Sequence, residues 1–380
     1  MCSMVSRNKV STFAPSVYRE VLGKFGTISC HSLYAAISFC MIGSWFRRGG
    51  YEVVKFWKRH MFEQIISVEN LLEAWREFLP GKRGKSDVTA FSLRLMDNIF
   101  SLHRDLLHRT YRHGGYQAFN ISDPKPRRIH KASVRDRLLH HAVYRVLYLY
   151  FDRKFIADSY SCRVGKGTHR ALNRFRRFGW KAGKNNTKTC WILKCDIRKF
   201  FASVDHGKLL TILERDLDEG TLWLVRGVIV SFSSTRPGIG LPLGNLTSQL
   251  FVNVYMNEFD WFVKHCLHAK CYIRYADDFV VFSENRAWLE RILPQIRFFL
   301  GEQLKLDLHP DKVSVSTLAS GVDFLGWVHF PNYRVLRTAT KRRMLRRMND
   351  RPKPETIASY RGLLAHGNTY TLRKRIGIVG

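Results

Sequence analysis

Acidic residues are scarce in this chain. Its 380 residues carry 63 Lys and Arg against 31 Asp and Glu, a formal net charge of +32. So few carboxylates cannot balance the cations, and a chain this basic is suited to holding a polyanion, most simply nucleic acid. With 45% hydrophobic residues it is not a disordered basic tail. Long apolar runs are missing as well. The stretch from Ser32 to Phe46 is too short to span a bilayer and is flanked by His31 and Arg47-Arg48. The basic residues are spread along the whole chain and not gathered on one amphipathic helix, which argues against a membrane surface as partner. No secretory signal is visible, so a reducing cytoplasm is the expected compartment. Zinc spacing is also wanting. Two C-x4-C pairs, Cys190/Cys195 and Cys266/Cys271, are loose for structural zinc, and Cys195 sits inside an apolar strand pattern. The cysteines are therefore read as reduced core thiols.

The shortage of carboxylates gives weight to those that sit among apolar residues. Tyr275-Ala276-Asp277-Asp278 lies between two apolar half-strands, Cys271-Tyr272-Ile273-Arg274 and Phe279-Val280-Val281-Phe282-Ser283. A tight turn between paired strands can hold two carboxylates side by side. Burying them without a counter-charge would cost several kcal/mol. A hard divalent cation with oxygen ligands is the simplest neutraliser. A third carboxylate, Asp196, ends another apolar strand pattern, Trp191 to Cys195. If the two strands are neighbours, a pair of metal ions roughly 3.5–4 Å apart would clamp the attacking and leaving oxygens of a phosphoryl displacement. The plainer alternative makes Asp196 a turn cap and Asp277-Asp278 a solvated hairpin tip.

These two segments resemble motifs A and C of the reverse transcriptase palm. The resemblance runs over roughly residues 61–370 and implies an α+β right-hand polymerase: fingers, a palm of antiparallel sheet packed on helices, and a short helical thumb. It implies an RNA-directed DNA polymerase that uses an RNA template, a DNA or RNA primer and deoxynucleotides. Two Mg²⁺ ions, or Mn²⁺ in their place, would be held by Asp196, Asp277, Asp278 and the backbone of Ile197. Phe201 matches the aromatic gate against a 2′-hydroxyl, although Phe200-Phe201 also reads as core. Tyr275 is the first residue of the Tyr-x-Asp-Asp motif and is expected at the nucleic acid.

The remaining segments are placed on the same frame. Residues 1–58 form an extension of unknown role, followed by fingers at 59–185, palm at 186–330 and thumb at 331–380. Helical periodicity from 61 to 115 sets Leu71, Leu72, Trp75 and Phe78, then Phe91, Leu93, Met96, Ile99, Leu102 and Leu106, toward a core. The loop Pro80 to Asp87 is either a solvated turn or a template contact. Tyr116 to Lys131 reads as a hairpin with a Pro-rich turn, with Arg127, Arg128 and Lys131 facing nucleic acid. Residues 134–151 form a helix with a core stripe of Val134, Leu138, Ala142, Val146 and Tyr150. A Gly-rich loop from Ser159 to His169, with Thr168 as N-cap, offers Arg163 and Lys166 to a triphosphate.

The segment Gly238 to Tyr255 aligns with motif B but departs from its usual Gln-Gly-x-x-x-Ser-Pro. Here it reads Leu243-Gly244-Asn245-Leu246-Thr247-Ser248-Gln249. An aliphatic residue stands where a polar one touches the nucleotide, and Gln249 replaces the proline. This variant resembles enzymes of diversity-generating retroelements, which copy template adenines with errors and work with a small basic accessory protein. A neutral swap in a retron-like, group II intron-like or phage-defence enzyme is the alternative. Lys312 is a general-acid candidate or an exposed lysine. Leu325 and Gly326 match the primer grip. From Arg334 the chain is densely basic, and Arg342 and Arg343 belong to a thumb suited to tracking a duplex backbone. The chain's end at Gly380 is expected to leave no room for an endonuclease or large maturase domain.

Overall fold

Four helices open the part of the chain that the structure, a computed structural model, describes: residues 60–122, 126–350 and 352–377. The extension 1–58, with Ser32 to Phe46 and Cys2, Cys30 and Cys40, lies outside the described residues, as do residues 123–125, where the Pro-rich turn is expected, Arg351 and Gly380. The helices are α1 (Met61–Ile66), α2 (Val68–Phe78), α3 (Ser86–Leu93) and α4 (Leu95–Leu107). The Ser67 hydroxyl accepts the Asn70 N–H and starts α2 by satisfying one orphan donor. Leu71, Trp75 and Phe78 are buried as their spacing predicts. Leu93 and Met96 are not, at 82% and 44% exposed. Arg94, at φ −123° and ψ 42°, breaks the chain between α3 and α4. The helical phase restarts there, so one periodicity cannot run through both helices.

Strands β1 (Tyr116–Ile121) and β2 (Arg127–Ala132) pair antiparallel, Tyr116 opposite Ala132 and Ile121 opposite Arg127. The hairpin is an exposed arm whose last β1 residues face solvent. It leads into α5 (Val134–Phe151), capped by the Ser133 hydroxyl. Leu138, Ala142 and Val146 are buried on α5, while Tyr150 is half-buried and donates its hydroxyl to Asp216 at 2.9 Å.

Next, α6 (Thr168–Ala182) starts one residue earlier than the predicted cap requires. Gly167, at φ +90°, is the capping position, and Thr168 is the first helical residue. Glycine is suited to that left-handed backbone, which leaves the threonine hydroxyl free for Tyr275 at 3.1 Å.

The central sheet is built from β3 (Trp191–Asp196), β4 (Cys271–Tyr275), β5 (Asp278–Ser283) and β6 (Ser314–Thr317) in the order β4-β5-β3-β6, all neighbours antiparallel. Between β3 and β4 run α7 (Phe200–Ser203), α8 (His206–Glu214), α9 (Glu219–Val230) and α10 (Leu246–Trp261). Alternation divides the sheet's side chains between two cores. Leu193, Cys195, Tyr272, Phe279 and Val281 join the helices α1, α2, α5 and α10. Ile192, Cys271, Ile273, Val280 and Phe282 join α6 and the C-terminal elements. A sheet covered on both faces explains why its strands read as nearly continuous apolar runs.

After β5 come α11 (Arg286–Phe298) and β6, then a three-stranded sheet of β7 (Val322–Phe324), β8 (Trp327–His329) and β9 (Arg334–Leu336). Three helices follow: α12 (Thr338–Asn349), α13 (Pro354–Leu364) and α14 (Tyr370–Arg375). This is the α+β architecture, antiparallel sheet on helices, that the motifs imply. Cys190, Cys195 and Cys271 are buried free thiols, but Cys162 and Cys266 are exposed and are not core residues. Cys162 lies in a turn at φ 53° and Cys266 ends the π-helical turn after α10, where neither can pack inward. No helix among the described residues is long and apolar enough to cross a membrane.

Candidate active site

Sheet register creates the site. The β3–β5 pairing sets Asp196 directly opposite Asp278, and Tyr275 pairs with Asp278 across a two-residue turn, Ala276-Asp277. Ala276 takes φ 55°, the left-handed backbone that so tight a turn demands. The Ile197 N–H donates to the Asp277 carbonyl at 3.2 Å, and the His309 N–H to the Asp196 carbonyl at 2.8 Å. Three segments distant in sequence are thus stitched around one carboxylate, and the solvated-tip alternative fails.

The electrostatics are those of a crowded acidic site. Asp196 is 8% exposed. Burial pushes the Asp278 carboxyl up to about 7, with the Asp277 and Asp196 charges adding to it. Asp277 is also raised, first by burial and then by Asp196, while Lys312 and Arg127 pull it back down. The Lys312 ammonium donates to Asp196 Oδ1 at 2.8 Å. As placed, no three His, Cys, Asp or Glu side chains among the described residues form a ready cage for a metal ion. The donors nevertheless fit one. They are all hard oxygens, and burial together with the neighbouring carboxylates raises Asp277 and Asp278, a cost that a bound cation would offset.

A family model described as Reverse transcriptase (RNA-dependent DNA polymerase) matches residues 122–329, which span β2, all three carboxylates and the β7–β8 strands. The chain belongs to the reverse transcriptase family. It is similar to Protein YkfC of Escherichia coli K12, 24% identical over 54% of this chain and 63% of that protein. It is also similar to the group II intron-encoded protein LtrA of Lactococcus lactis, 22% identical over 55% of this chain and 44% of that protein. It therefore spans less than two thirds of either relative. Among solved structures it is similar to telomerase from Candida albicans, with 12% identity, a TM-score of 0.44, and coverage of 60% of this chain and 46% of that one.

Within this family frame, one residue that the motifs did not single out holds the Ala276-Asp277 turn. Arg274, at 0% exposure, donates from Nε and Nη2 to both oxygens of buried Asp260, at 2.8 and 2.7 Å. Its Nη1 also donates to the Ala276 carbonyl at 3.2 Å, inside the turn itself, and to Asn253 at 3.3 Å; Nη2 reaches Ser159 at 3.1 Å. Tyr272 donates to Asp260 as well, at 2.7 Å. The sequence signal was present: an arginine in an apolar strand and an aspartate in an apolar helix are each buried only with a partner.

Other expected contacts divide. Arg163 does not face a nucleotide. Its guanidinium, 5% exposed, donates to Asp152 at 2.6 Å and to the Ile156 and Ser159 carbonyls. Those partners satisfy it internally, because the loop folds back on the end of α5. The neighbouring Lys166 donates to the Ala157 carbonyl at 2.7 Å and lies over the Tyr160 ring. Lys131 pairs with Asp87 at 2.6 Å, beside Arg137, which makes the first turn of α3 a brace for the hairpin. Arg127 and Arg128 are exposed on β2. Of the two phenylalanines, Phe200 is core and Phe201 is half-buried against it, edge to face at 5.6 Å.

The turn before α10 is clasped by the hairpin. His130 N–H donates to the Leu243 carbonyl at 3.0 Å, and Asn245 Nδ2 to the His130 carbonyl at 3.2 Å. At Gly244, φ is +103° and an added Cβ would meet Ile129 at 2.8 Å, so close approach and backbone both require glycine. Gln249 is half-buried on the first turns of α10. Leu325 (φ 51°) and Gly326 (φ 85°) form the two-residue turn between β7 and β8. Arg342 is exposed on α12, with Arg343 half-buried beside it.

Proposed function

We propose that this chain is an RNA-directed DNA polymerase, in which a primer 3′-hydroxyl attacks the α-phosphate of a deoxynucleotide. The observation that carries the reading is the register that seats Asp196 against Asp278 with Asp277 at the turn. Asp196, Asp277, Asp278 and the Ile197 backbone would hold two Mg²⁺ ions, which polarise the phosphoryl group and neutralise the leaving oxygen. Lys312, already at Asp196, is within reach to give a proton to pyrophosphate. Phe201, five residues after Asp196 and half-buried, matches the family's aromatic gate and would favour a deoxynucleotide over one bearing a 2′-hydroxyl. Fingers (from 59), palm (from 186) and thumb complete the hand. In this reading the palm runs to residue 330 and the thumb from 331, with β9 pairing back onto β8 at the junction.

Within that class, Leu243 supports an error-prone enzyme of the diversity-generating type. An aliphatic side chain beside the nascent pair offers no hydrogen bond to test it, a loss of about 1–3 kcal/mol in discrimination. Primer extension on an RNA template tests the activity. Asp277→Asn is expected to abolish extension, falling by at least about 10³-fold, and extension that survives the substitution would leave an RNA-binding scaffold instead of an enzyme.

A further inference from the structure

A second basic concavity lies away from the carboxylates. It has a volume of about 360 Å³ and is lined by Arg176, His329, Tyr333, Arg334 and His366, among others, none of them acidic. It is reached along α6. The N-terminal Thr168 touches Tyr275 at the catalytic turn, and Arg176 sits two turns further on, roughly 12 Å along the axis.

Two buried polar atoms on residues that line this concavity lack partners in the fold. His329 is 2% exposed, and its Nε2 has no hydrogen bond. The ring stacks on Phe175 at 4.2 Å, and its other nitrogen faces the Phe324 backbone. A carbonyl there fixes the proton on Nδ1 and leaves Nε2 an acceptor. Burial and the Arg334 charge keep the imidazole neutral, its pKa held down at about 3. Arg334 is anchored by Nε to the His366 carbonyl and by Nη2 to Asn173 at 3.3 Å, but its buried Nη1 has no partner. Arg176 lines the same concavity, and burial together with the Arg176 charge lowers the Arg334 pKa.

An unpartnered acceptor and an unpartnered donor on residues lining one concavity are a pairing that a hydroxyl completes. It accepts from Arg334 Nη1 and donates to His329 Nε2. Two cations next to it, with no carboxylate in the lining, suit a phosphate. A hydroxyl next to a phosphodiester is the chemical mark of a ribonucleotide. Tyr333, 48% exposed and stacked on Phe330 at 4.8 Å, offers a ring edge and face at the rim for a base.

We propose that this concavity is a second RNA subsite, which takes one ribonucleotide of a single strand through its 2′-hydroxyl and phosphate, outside the polymerase centre. It rests on the reading that the chain binds RNA, but not on whether it polymerises.

The test is binding of a labelled single-stranded RNA and its all-deoxy counterpart, by fluorescence anisotropy. The full chain is used, with its catalytic cleft filled beforehand by excess unlabelled primer–template. His329→Phe keeps the ring and removes the acceptor; it is expected to weaken RNA binding about five-fold and leave DNA binding unchanged. Arg176→Gln, at an exposed position, is expected to weaken both about equally, by a similar factor. Failure of the probe to bind the filled protein overturns the proposal. So does an unchanged RNA-to-DNA ratio in His329→Phe, or an Arg176→Gln variant that binds as the parent does. Loss of primer extension moves none of these readouts, so failure of the polymerase reading is scored separately.

Discussion

Replacing Asp260 by asparagine should destabilise this protein more than replacing Asp196, Asp277 or Asp278. Arg274 and Asp260 are both fully buried and joined by two charged hydrogen bonds at 2.7 and 2.8 Å. Asp260→Asn keeps the volume but removes the negative charge, leaving a guanidinium in the core with nothing to balance it. Breaking a buried pair from one side costs about 3–5 kcal/mol. An independent estimate agrees: one or two charged hydrogen bonds weakened or lost, at about 1.5–3 kcal/mol each. Urea denaturation followed by tryptophan fluorescence measures the loss. The companion experiment removes both charges, as Asp260→Leu with Arg274→Met. Stability should return to within about 1 kcal/mol of the parent, because two apolar side chains of similar size replace the pair. Primer extension should not return. Arg274 Nη1 also holds the Ala276 carbonyl, and a turn displaced by even 1 Å costs about 10²-fold in rate. A loss below about 1 kcal/mol in Asp260→Asn, or full extension by the double variant, would refute the assignment of Arg274 as the residue that positions the turn.

Three further predictions concern the site itself. Asp278 has a folded pKa of about 7 against 3.8 unfolded, so ionising it opposes folding. In chelator, the melting temperature should therefore fall as pH rises from about 4 to 7, and added Mg²⁺ should raise it more at pH 8 than at pH 5; a Mg²⁺ effect independent of pH would contradict the carboxylate cluster. Lys312→Met should lower the extension rate by about 10²-fold or more if it supplies the proton, with little change in nucleotide KM; a rise in KM alone would make it a binding residue. Leu243→Gln should cut misincorporation opposite template adenines by about five-fold or more, read by sequencing the cDNA, and an unchanged error spectrum would remove the low-fidelity reading.

What the sequence made legible is what depends on local pattern. The strands around Asp196 and Asp277-Asp278 stand out because apolar runs ending in carboxylates have few other uses, and their pairing follows from the chemistry they would share. The hairpin at 116–132 and the helix at 134–151 are equally local, set by alternation and by the Ser133 cap. Side-chain direction in loops was not legible. Arg163 in a Gly-rich loop looks like a phosphate ligand until the chain is seen to fold back onto Asp152. The stripe through Leu93 and Met96 failed because a single residue, Arg94, shifts the helical phase without any glycine or proline to announce it. Arg274 was visible as an anomaly, a charge within an apolar strand, but its partner Asp260 lies on another element and only the fold brings them together.

The pairing of β3 with β5 has an implication for how such a chain can change. Residue 196 faces residue 278 because of hydrogen bonds along two strands, and nothing in that ladder depends on the length of the helical excursion that joins them. Lengthening or shortening the loops between α8, α9 and α10 leaves the acidic cluster where it is. A one-residue slip inside either strand would instead turn its carboxylate to the opposite side of the sheet. Tolerance to insertion and intolerance to frame thus sit side by side in the same hundred residues, and a scan of single-residue insertions should divide sharply at the strand boundaries.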